Sequence, residues 1–226
     1  MVEKAKFIWF DGKFIPWEQA QVHVLTHTLH YGLGVFEGIR AYHCHDGRTA
    51  IFRLKEHIQR LFDSAHVMMI DIPFQQAEVE AACCEILRLN GQKEAYIRPL
   101  VFLGEGVMGL HPKGAPIQVA VISWVWGAYL GDEGLRRGIR VKTSSFTRHH
   151  VNIMMTKTKT VGNYVNSIMA KLEAVHAGYD EALLLDTAGY VCEASGENIF
   201  LVKDGIRYDY PPFGPPNLQY WELRSR

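Results

Sequence analysis

The chain has 226 residues, 48% hydrophobic and 21% charged, with 24 Lys and Arg balanced by 24 Asp and Glu. This size and balance predict one or two ordinary globular domains and exclude collagen, coiled coil and a disordered polymer. A formal net charge of zero leaves no basic stripe for nucleic acid and no polybasic segment for an anionic membrane. The opening Met1 to Lys6 lacks an apolar signal core, and no run approaches the roughly 18 apolar residues that cross a bilayer, so a cytoplasmic chain is expected.

In chain order, Phe7 to Phe10 and Phe14-Ile15 flank Asp11-Gly12, the pattern of a tight hairpin. Gly38 to Tyr42 and Ala50 to Phe52 read as a second strand pair around Asp46-Gly47. Leu54, Ile58, Leu61, Phe62 and Ala65 recur at helical spacing, which predicts an amphipathic helix from Leu54 to about Val67. Val79, Ala82, Cys83, Ile86 and Leu87 repeat that period up to the stop signal Asn90-Gly91. Ala95 to Gly104 and Ile117 to Trp126 read as buried strands, which closes an N-terminal α/β domain over 1–126.

Residues 127–138, with Gly131-Asp132-Glu133-Gly134, break the apolar pattern and are expected to be an interdomain linker. A second domain over 139–207 follows. It has a strand at Ile139 to Ser144, a helix from Val165 to about Ala177 on Val165, Ile168, Met169 and Leu172, and strands at Ala182 to Leu185, Tyr190 to Glu193 and Asn198 to Val202. Residues 208–226, with Pro211, Pro212, Pro215 and Pro216, carry no period and read as an aberrant proline-rich tail. The fold class expected is α+β, two mixed domains with the second incomplete.

Cys44, Cys83, Cys84 and Cys192 show no CxxC spacing, so neither a disulfide scaffold nor a zinc ribbon is expected; the adjacent pair reads as small core residues of a helix. His23, His27 and His30 have suggestive spacing, but no nearby carboxylate or cysteine completes a metal set, and no metal site is expected. Neither a phosphate loop nor GxGxxG occurs in strand-turn-helix context, and Ser195 does not sit in a GxSxG elbow.

Met155 to Tyr164 is more informative, because a lysine before a small, glycine-containing turn at a domain cleft can serve as a nucleophilic amine. Its alternative is a solvated surface charge. Gly189 to Asn198 places Glu193 at the end of an apolar strand, followed by small residues that let backbone approach a ligand; a strand-end surface acid is the competing reading.

Five segments, in one order, carry a resemblance: His30 through Phe36-Glu37-Gly38-Ile39-Arg40, Tyr96-Ile97-Arg98-Pro99, Trp126 through Gly131, Lys159 through Asn163-Tyr164, and Glu193 through Glu197-Asn198. On these the chain resembles the fold-type IV pyridoxal 5'-phosphate aminotransferases, and among them the branched-chain amino acid aminotransferases. The resemblance implies that the lysine four residues before the Asn of Gly-Asn-Tyr, Lys159 and not Lys157, forms a Schiff base with the cofactor. It further implies that Tyr164 meets the cofactor's phenolic oxygen, Glu193 keeps its pyridine nitrogen protonated, and Arg60 binds its phosphate.

Tyr31, Phe36, Gly38, Arg40, Tyr96, Trp126 and Tyr129 match substrate-pocket positions, and Arg98 matches the one that meets glutamate's distal carboxylate. The activity implied is reversible transfer of the amino group between leucine, isoleucine or valine and 2-oxoglutarate, with amino acids and 2-oxo acids as partners and a homo-oligomer as the assembly. The family's later Gly-Ile-Thr-Arg and Ser-Gly-Thr-Ala segments have no counterpart after Ile206, so a C-terminally truncated or altered member is expected. Two alternatives stay open: a catalytically inert chain that only self-associates, and another fold-type IV activity, D-amino acid aminotransferase or aminodeoxychorismate lyase.

Overall fold

The computed structural model describes residues 3–127, 131–209 and 221–224. The chain divides into two compact units, Met1–Gly127 with Thr158–Gly162, and Ala128–Lys157 with Asn163–Arg226. The strip Thr158–Gly162, which the sequence reading kept inside 139–207, thus belongs with the first unit.

The first unit is built on a seven-stranded antiparallel sheet. Strands β1 (Phe7–Phe10) and β2 (Lys13–Pro16) form the expected hairpin, with Asp11 and Gly12 both at positive φ, 45° and 87°. After the short helix α1 (His27–Tyr31) come β3 (Gly34–Phe36), β4 (Ile39–His43) and β5 (Thr49–Ile51), then helices α2 (Leu54–Val67) and α3 (Gln76–Asn90), then the long strands β6 (Ala95–Leu103) and β7 (Ile117–Trp124). The strand order is β2-β1-β7-β6-β4-β5, and β3 also pairs with β6.

Helix α2 follows its apolar spacing, with Ile58, Leu61 and Ala65 buried. Helix α3 opens on a reciprocal capping box between Gln75 and Glu78 and stops at Gly91 with φ 63°. The two helices bury Val79, Cys83 and Ile86 together with Ile58 and Leu61 against Val35, Ile39, Ile97, Val101, Val119 and Val121 of the sheet. Each such side chain contributes roughly 1.5–3 kcal/mol of transfer free energy. Cys84 is exposed, which corrects its reading as a core residue: neighbours on a helix point about 100° apart, so only Cys83 can face the sheet.

In the second unit, helix α4 (Gly131–Arg137) lies inside the stretch expected to be plain linker. Its local signals are Leu135, Arg136 and Arg137 as helix formers and an i,i+4 ion pair from Glu133 to Arg137 at 2.9 Å. Strand β8 (Val141–Thr143) runs parallel to β9 (Glu181–Leu185), with helix α5 (Tyr164–His176) between them in the chain, and β10 (Val191–Ala194) pairs antiparallel on the other side of β9. Strands β11 (Phe200–Lys203), β12 (Ile206–Asp209) and β13 (Trp221–Arg224) make a separate antiparallel sheet.

Strand β13 stands where the composition of 208–226 suggested no element; the alternation Trp221-Glu222-Leu223-Arg224 is a strand period that the neighbouring prolines obscure. The rest of that tail, 210–220 and 225–226, lies outside the described residues.

Helix α5 inverts the sequence expectation. Ser167, Ala170 and Ala174 are its buried residues, in a small core with Ala182 and Leu184, whereas Val165, Ile168, Met169, Leu172 and Val175 are exposed. Periodicity located the helix, but the small residues let it lie close on β9, and that contact selects the buried face.

Candidate active site

Strands β3 and β4 are one strand interrupted. Phe36 stands opposite Leu100 and Ile39 opposite Ile97, so the register on β6 runs unchanged through the break at Glu37-Gly38. Residue alternation then decides two faces. Val35, Ile39 and Ala41 point to the helices, while Phe36, Gly38 and Arg40 share the other face with Tyr96, Arg98 and Trp124.

That second face gathers most of the expected substrate residues of the first unit. Tyr96 packs between Trp124 and Trp126, with ring centroids 5.0 and 4.9 Å away. Arg98 lies 4.4 Å over the Phe36 ring and donates from Nη2 to Tyr96 Oη at 3.1 Å, while its Nε is buried without a hydrogen-bond partner among the described residues. Arg40 donates from Nη1 to the Trp126 carbonyl at 2.9 Å, which ties the end of β7 to β4. Gly38 is required by packing: a Cβ built there would lie 1.8 Å from Tyr96 Oη. Tyr31 is placed differently. It is exposed on α1, its ring against His27 and His30. Tyr129 lies outside the described residues.

Lys159 sits on the strip Thr158–Gly162, which is stitched to the edge of β3. The Phe36 amide donates to the Lys159 carbonyl at 3.0 Å, Val35 and Thr160 form an antiparallel bridge, and the Gly162 amide donates to the Gly32 carbonyl at 3.0 Å. Ser64 Oγ on α2 accepts from the Lys159 amide at 3.2 Å. The glycines are the steric condition for this seam, since a Cβ on Gly32, at φ 71°, would meet Gly162 Cα at 2.9 Å. The Lys159 ammonium is half-buried, 5.2 Å from the Phe36 ring centroid, whereas Lys157 is exposed.

Glu37 lies in the first of the five resemblance segments, which implies no role for it. Its place on the helix-facing side of the strand leaves its side chain 0% exposed. It is satisfied there by Arg60, through Nε to Oε1 at 2.5 Å and Nη2 to Oε2 at 2.8 Å, by His57 Nδ1 at 2.8 Å and by the Gly38 amide at 3.2 Å. Burial pushes the Glu37 carboxyl up, but the hydrogen bonds from His57 and Arg60 and the charges of Arg60 and Lys159 outweigh it and hold the group below the ordinary carboxylate range. A sequence signal existed: an acid inside an apolar strand, and His57 and Arg60 three apart on one face of α2.

In the second unit, Glu193 stands on β10, where the register against β9 shifts between Val191 and Glu193, an irregularity that re-aims the side chain. Its Oε1 pairs with Arg148 Nε, a residue the sequence reading missed. Arg148 is itself buried and donates from Nη1 to Asn166 Oδ1 at 2.9 Å and Ser167 Oγ at 3.3 Å on α5. Tyr164 is the half-buried first residue of α5, and Asn163 before it donates to the Met155 carbonyl at 3.4 Å. Nearby, Glu197 is pushed up by burial and by the charge of Glu181. Among the described residues no group of three His, Cys, Asp or Glu is placed to hold a metal, and no helix is long and apolar enough to cross a membrane.

The sequence of residues 34–212, which includes Glu37, Arg60, Arg148, Lys159 and Glu193, matches the family model of amino-transferase class IV. The chain belongs to the class IV aminotransferase family, whose members are pyridoxal phosphate enzymes of fold-type IV. It is 54% identical over 208 residues to the branched-chain-amino-acid aminotransferase of Pseudomonas aeruginosa, covering 92% of this chain and 67% of that protein. It is 45% identical to the Escherichia coli enzyme of that name, covering 93% and 68%.

Among solved structures, Escherichia coli branched-chain amino acid aminotransferase superposes with a TM-score of 0.88 at 44% identity, covering 91% of this chain and 68% of that one. The T.th. branched-chain amino acid aminotransferase with pyridoxamine 5'-phosphate does so at 0.87 and 52%, covering 92% and 68%. The chain therefore spans about two thirds of the length of these relatives.

Taken unit by unit, the residue types suit the family's cofactor: the first unit carries an amine at Lys159 and a guanidinium at Arg60, types that suit an aldehyde and a phosphate, and the second carries a carboxylate at Glu193, a type that suits a pyridine nitrogen.

Proposed function

We propose that the chain is a branched-chain amino acid aminotransferase that moves the amino group between leucine, isoleucine or valine and 2-oxoglutarate, with Lys159 as the reacting amine. Pyridoxal phosphate, when bound, would supply an aldehyde carbon reactive toward amines and a ring able to accept an electron pair. Lys159 Nζ would be the base that takes and returns the α-carbon proton, Glu193 would hold a proton at the ring nitrogen, and Tyr164 would donate to the phenolic oxygen. Arg60 offers the phosphate a planar fork of donors.

The face carrying Phe36, Tyr96 and Trp126 is apolar enough for a branched side chain, and Arg98, with its buried Nε lacking a partner among the described residues, suits the distal carboxylate of glutamate and 2-oxoglutarate. A cytoplasmic homo-oligomer completes the reading.

The observation that carries it is the pinning of the Lys159 backbone to Phe36, which fixes one amine of two nearby lysines beside the substrate face. The purified chain incubated with pyridoxal phosphate should develop an absorbance band beyond the protein envelope. Lys157→Ala retains that band and Lys159→Ala loses it; a band that survives Lys159→Ala overturns the assignment. Addition of leucine, isoleucine or valine should shift the band with release of the 2-oxo acid, and a preference for D-alanine would move the activity to another member of the fold type.

A second reading, a chain that self-associates without cofactor, draws on the exposed apolar stripe of α5. It predicts light scattering that rises with concentration and no band with the cofactor.

A further inference from the structure

The turn that follows Glu193 carries a carboxyl group with one oxygen left without a donor. Glu197 Oε2 accepts from the Gly196 amide at 3.1 Å, whereas Oε1 is buried and receives no hydrogen bond among the described residues. The group lies within hydrogen-bonding reach of another acid, Glu181, the first residue of β9. Glu181 is 1% exposed and well supplied with donors. Lys171 Nζ on α5 reaches its Oε2 at 2.6 Å, the Ala182 amide its Oε1 at 2.6 Å, and the Ser195 hydroxyl donates to the same carboxylate. Burial pushes the Glu181 carboxyl up, but the hydrogen bonds from Lys171, Ser195 and Ala182 and the Lys171 charge outweigh it, so Glu181 is the ionised member of the pair. Glu197 is pushed the other way, by burial first and by the Glu181 charge next. Two ionised carboxylates in buried contact repel; one proton between them converts the contact into a charge-assisted hydrogen bond.

We propose that Glu197 is a positioning residue that folds as the neutral acid and donates its proton to Glu181, fastening the turn of residues 195–197 to β9 and so setting the place of Glu193 beside it. An ionised carboxylate offers about four lone-pair sites, and Lys171, Ala182 and Ser195 leave one for this proton. The link to Glu193 is short. The next residue, Ala194, donates its amide to the Glu197 carbonyl at 3.1 Å and closes the turn, and Glu193 itself lies at the register shift, where the ladder with β9 is locally disrupted and fixes it less firmly. The charged groups facing Glu197 are Glu181 from β9 and Lys171 from α5. Glu193 on β10 pairs with Arg148, and Asp180, before Glu181, accepts from the Arg140 amide at 2.8 Å. Loss of the shared proton sets two anions against each other, and the turn, exposed at Gly196, is the part that yields.

This inference rests on the reading of Glu193 as the partner of the ring nitrogen, and the test separates the two. Dissociation constants of the full 226-residue chain for pyridoxal phosphate are measured by equilibrium dialysis between about pH 5 and pH 8 in the unmodified protein, Glu197→Gln and Glu193→Gln. Each variant is compared with the unmodified chain at the same pH, which cancels titration of the Lys159 amine and of the phosphate. Glutamine at 197 keeps a donor for Glu181 that cannot ionise. The affinity of Glu197→Gln relative to the unmodified chain should therefore rise about fivefold to tenfold from the acid to the alkaline end, and Glu193→Gln should bind about tenfold more weakly or worse. The infrared difference spectrum of the unmodified chain against Glu197→Gln, at about pH 5.5, should contain the carbonyl band of a protonated carboxylic acid.

A Glu193→Gln chain that binds as tightly as the unmodified one overturns the ring-nitrogen reading, and the positioning role with it. Weakened binding in Glu193→Gln together with a pH-independent ratio for Glu197→Gln overturns the positioning role alone, because a merely structural Glu197 would shift affinity by one factor at every pH. Absence of the acid band overturns it too. Should Glu197→Gln not fold, Glu181→Gln removes the facing anion. The Glu197 acid band should then titrate away about one pH unit or more below its midpoint in the unmodified chain, and an unmoved midpoint overturns the shared proton.

Discussion

The amide of Phe36 donates a 3.0 Å hydrogen bond to the carbonyl of Lys159, and with the single Val35–Thr160 bridge it ties the strip carrying the amine to the edge of β3. Phe36 is thus both the floor under the Lys159 ammonium and the backbone partner that sets its position. The amine is located by main-chain geometry, which substitutions of the surrounding side chains perturb little.

Substitution of Gly32 should break this seam. Alanine there must hold φ near 71° and push its Cβ into Gly162 Cα at 2.9 Å. Gly32→Ala is expected to cost roughly 1–3 kcal/mol, read as a lowered urea midpoint. The absorbance band with pyridoxal phosphate should weaken in parallel, whereas Gly47→Ala, at φ 84° but with open space around it, should lower the midpoint by only about 1 kcal/mol and leave the band intact.

Gly38→Ala should displace Tyr96. The new methyl would lie 1.8 Å from the phenolic oxygen, and the ring it moves is packed on Trp124 and Trp126. A shift of tryptophan emission should accompany a KM for leucine raised about tenfold or more, since a misplacement of about 1 Å at a binding face has effects of that order. An unchanged emission spectrum would show that the pocket accommodates the methyl and that the glycine is not needed.

Acid should act on Glu37 and Glu197 with opposite signs. Glu37 has a lowered folded-state value, so its contribution to stability is present above the unfolded carboxylate range and is lost as pH falls through the folded value. Glu197 has a raised one, so its contribution is full below the unfolded value and is lost as pH rises through the folded value. Glu37→Gln should therefore lower the urea midpoint at pH 7 and flatten its decline below about pH 4.5. Glu197→Gln should raise the midpoint at pH 7 and remove part of the fall above about pH 5. Urea titrations across pH 3 to 8 would check both, and slopes of the same sign for the two variants would contradict the assignment.

The exposed stripe of α5 should be dispensable for folding while its alanine face is not. Ile168→Lys and Leu172→Lys should shift the midpoint by no more than about 0.5 kcal/mol and reduce binding of a hydrophobic dye. Ala174→Leu, which adds volume where the helix meets β9, should cost about 1–3 kcal/mol. Urea midpoints and dye fluorescence on the same samples would reveal an inverted order if the helix used its other face.

Much of this molecule is legible residue by residue. The Asp11-Gly12 turn, helix α2 and the stop at Gly91 are written in local spacing, because turn dihedrals and a helical stripe depend on neighbours a few positions away. The alternation along β6 likewise announces that Tyr96 and Arg98 share a face. The preference for Lys159 over Lys157 came from the family resemblance alone; in the structure Lys159 is half-buried and Lys157 exposed. Less could be read of the partners. Arg148 carries no local signal, since nothing near it in the chain indicates a carboxylate on β10.

By itself the sequence determined the periods of the strands and helices, the family, and which residue types were available for chemistry, since these depend on order along the chain. Tertiary structure alone decided that α5 buries its alanines and not its larger apolar residues, that Glu37 grips Arg60, and that the Lys159 strip is bridged to the edge of β3. The physical reason is common to all three. A period says that a helix or strand has two sides, but which side is buried, and which distant charge or amide satisfies it, is set by surfaces that only folding brings together.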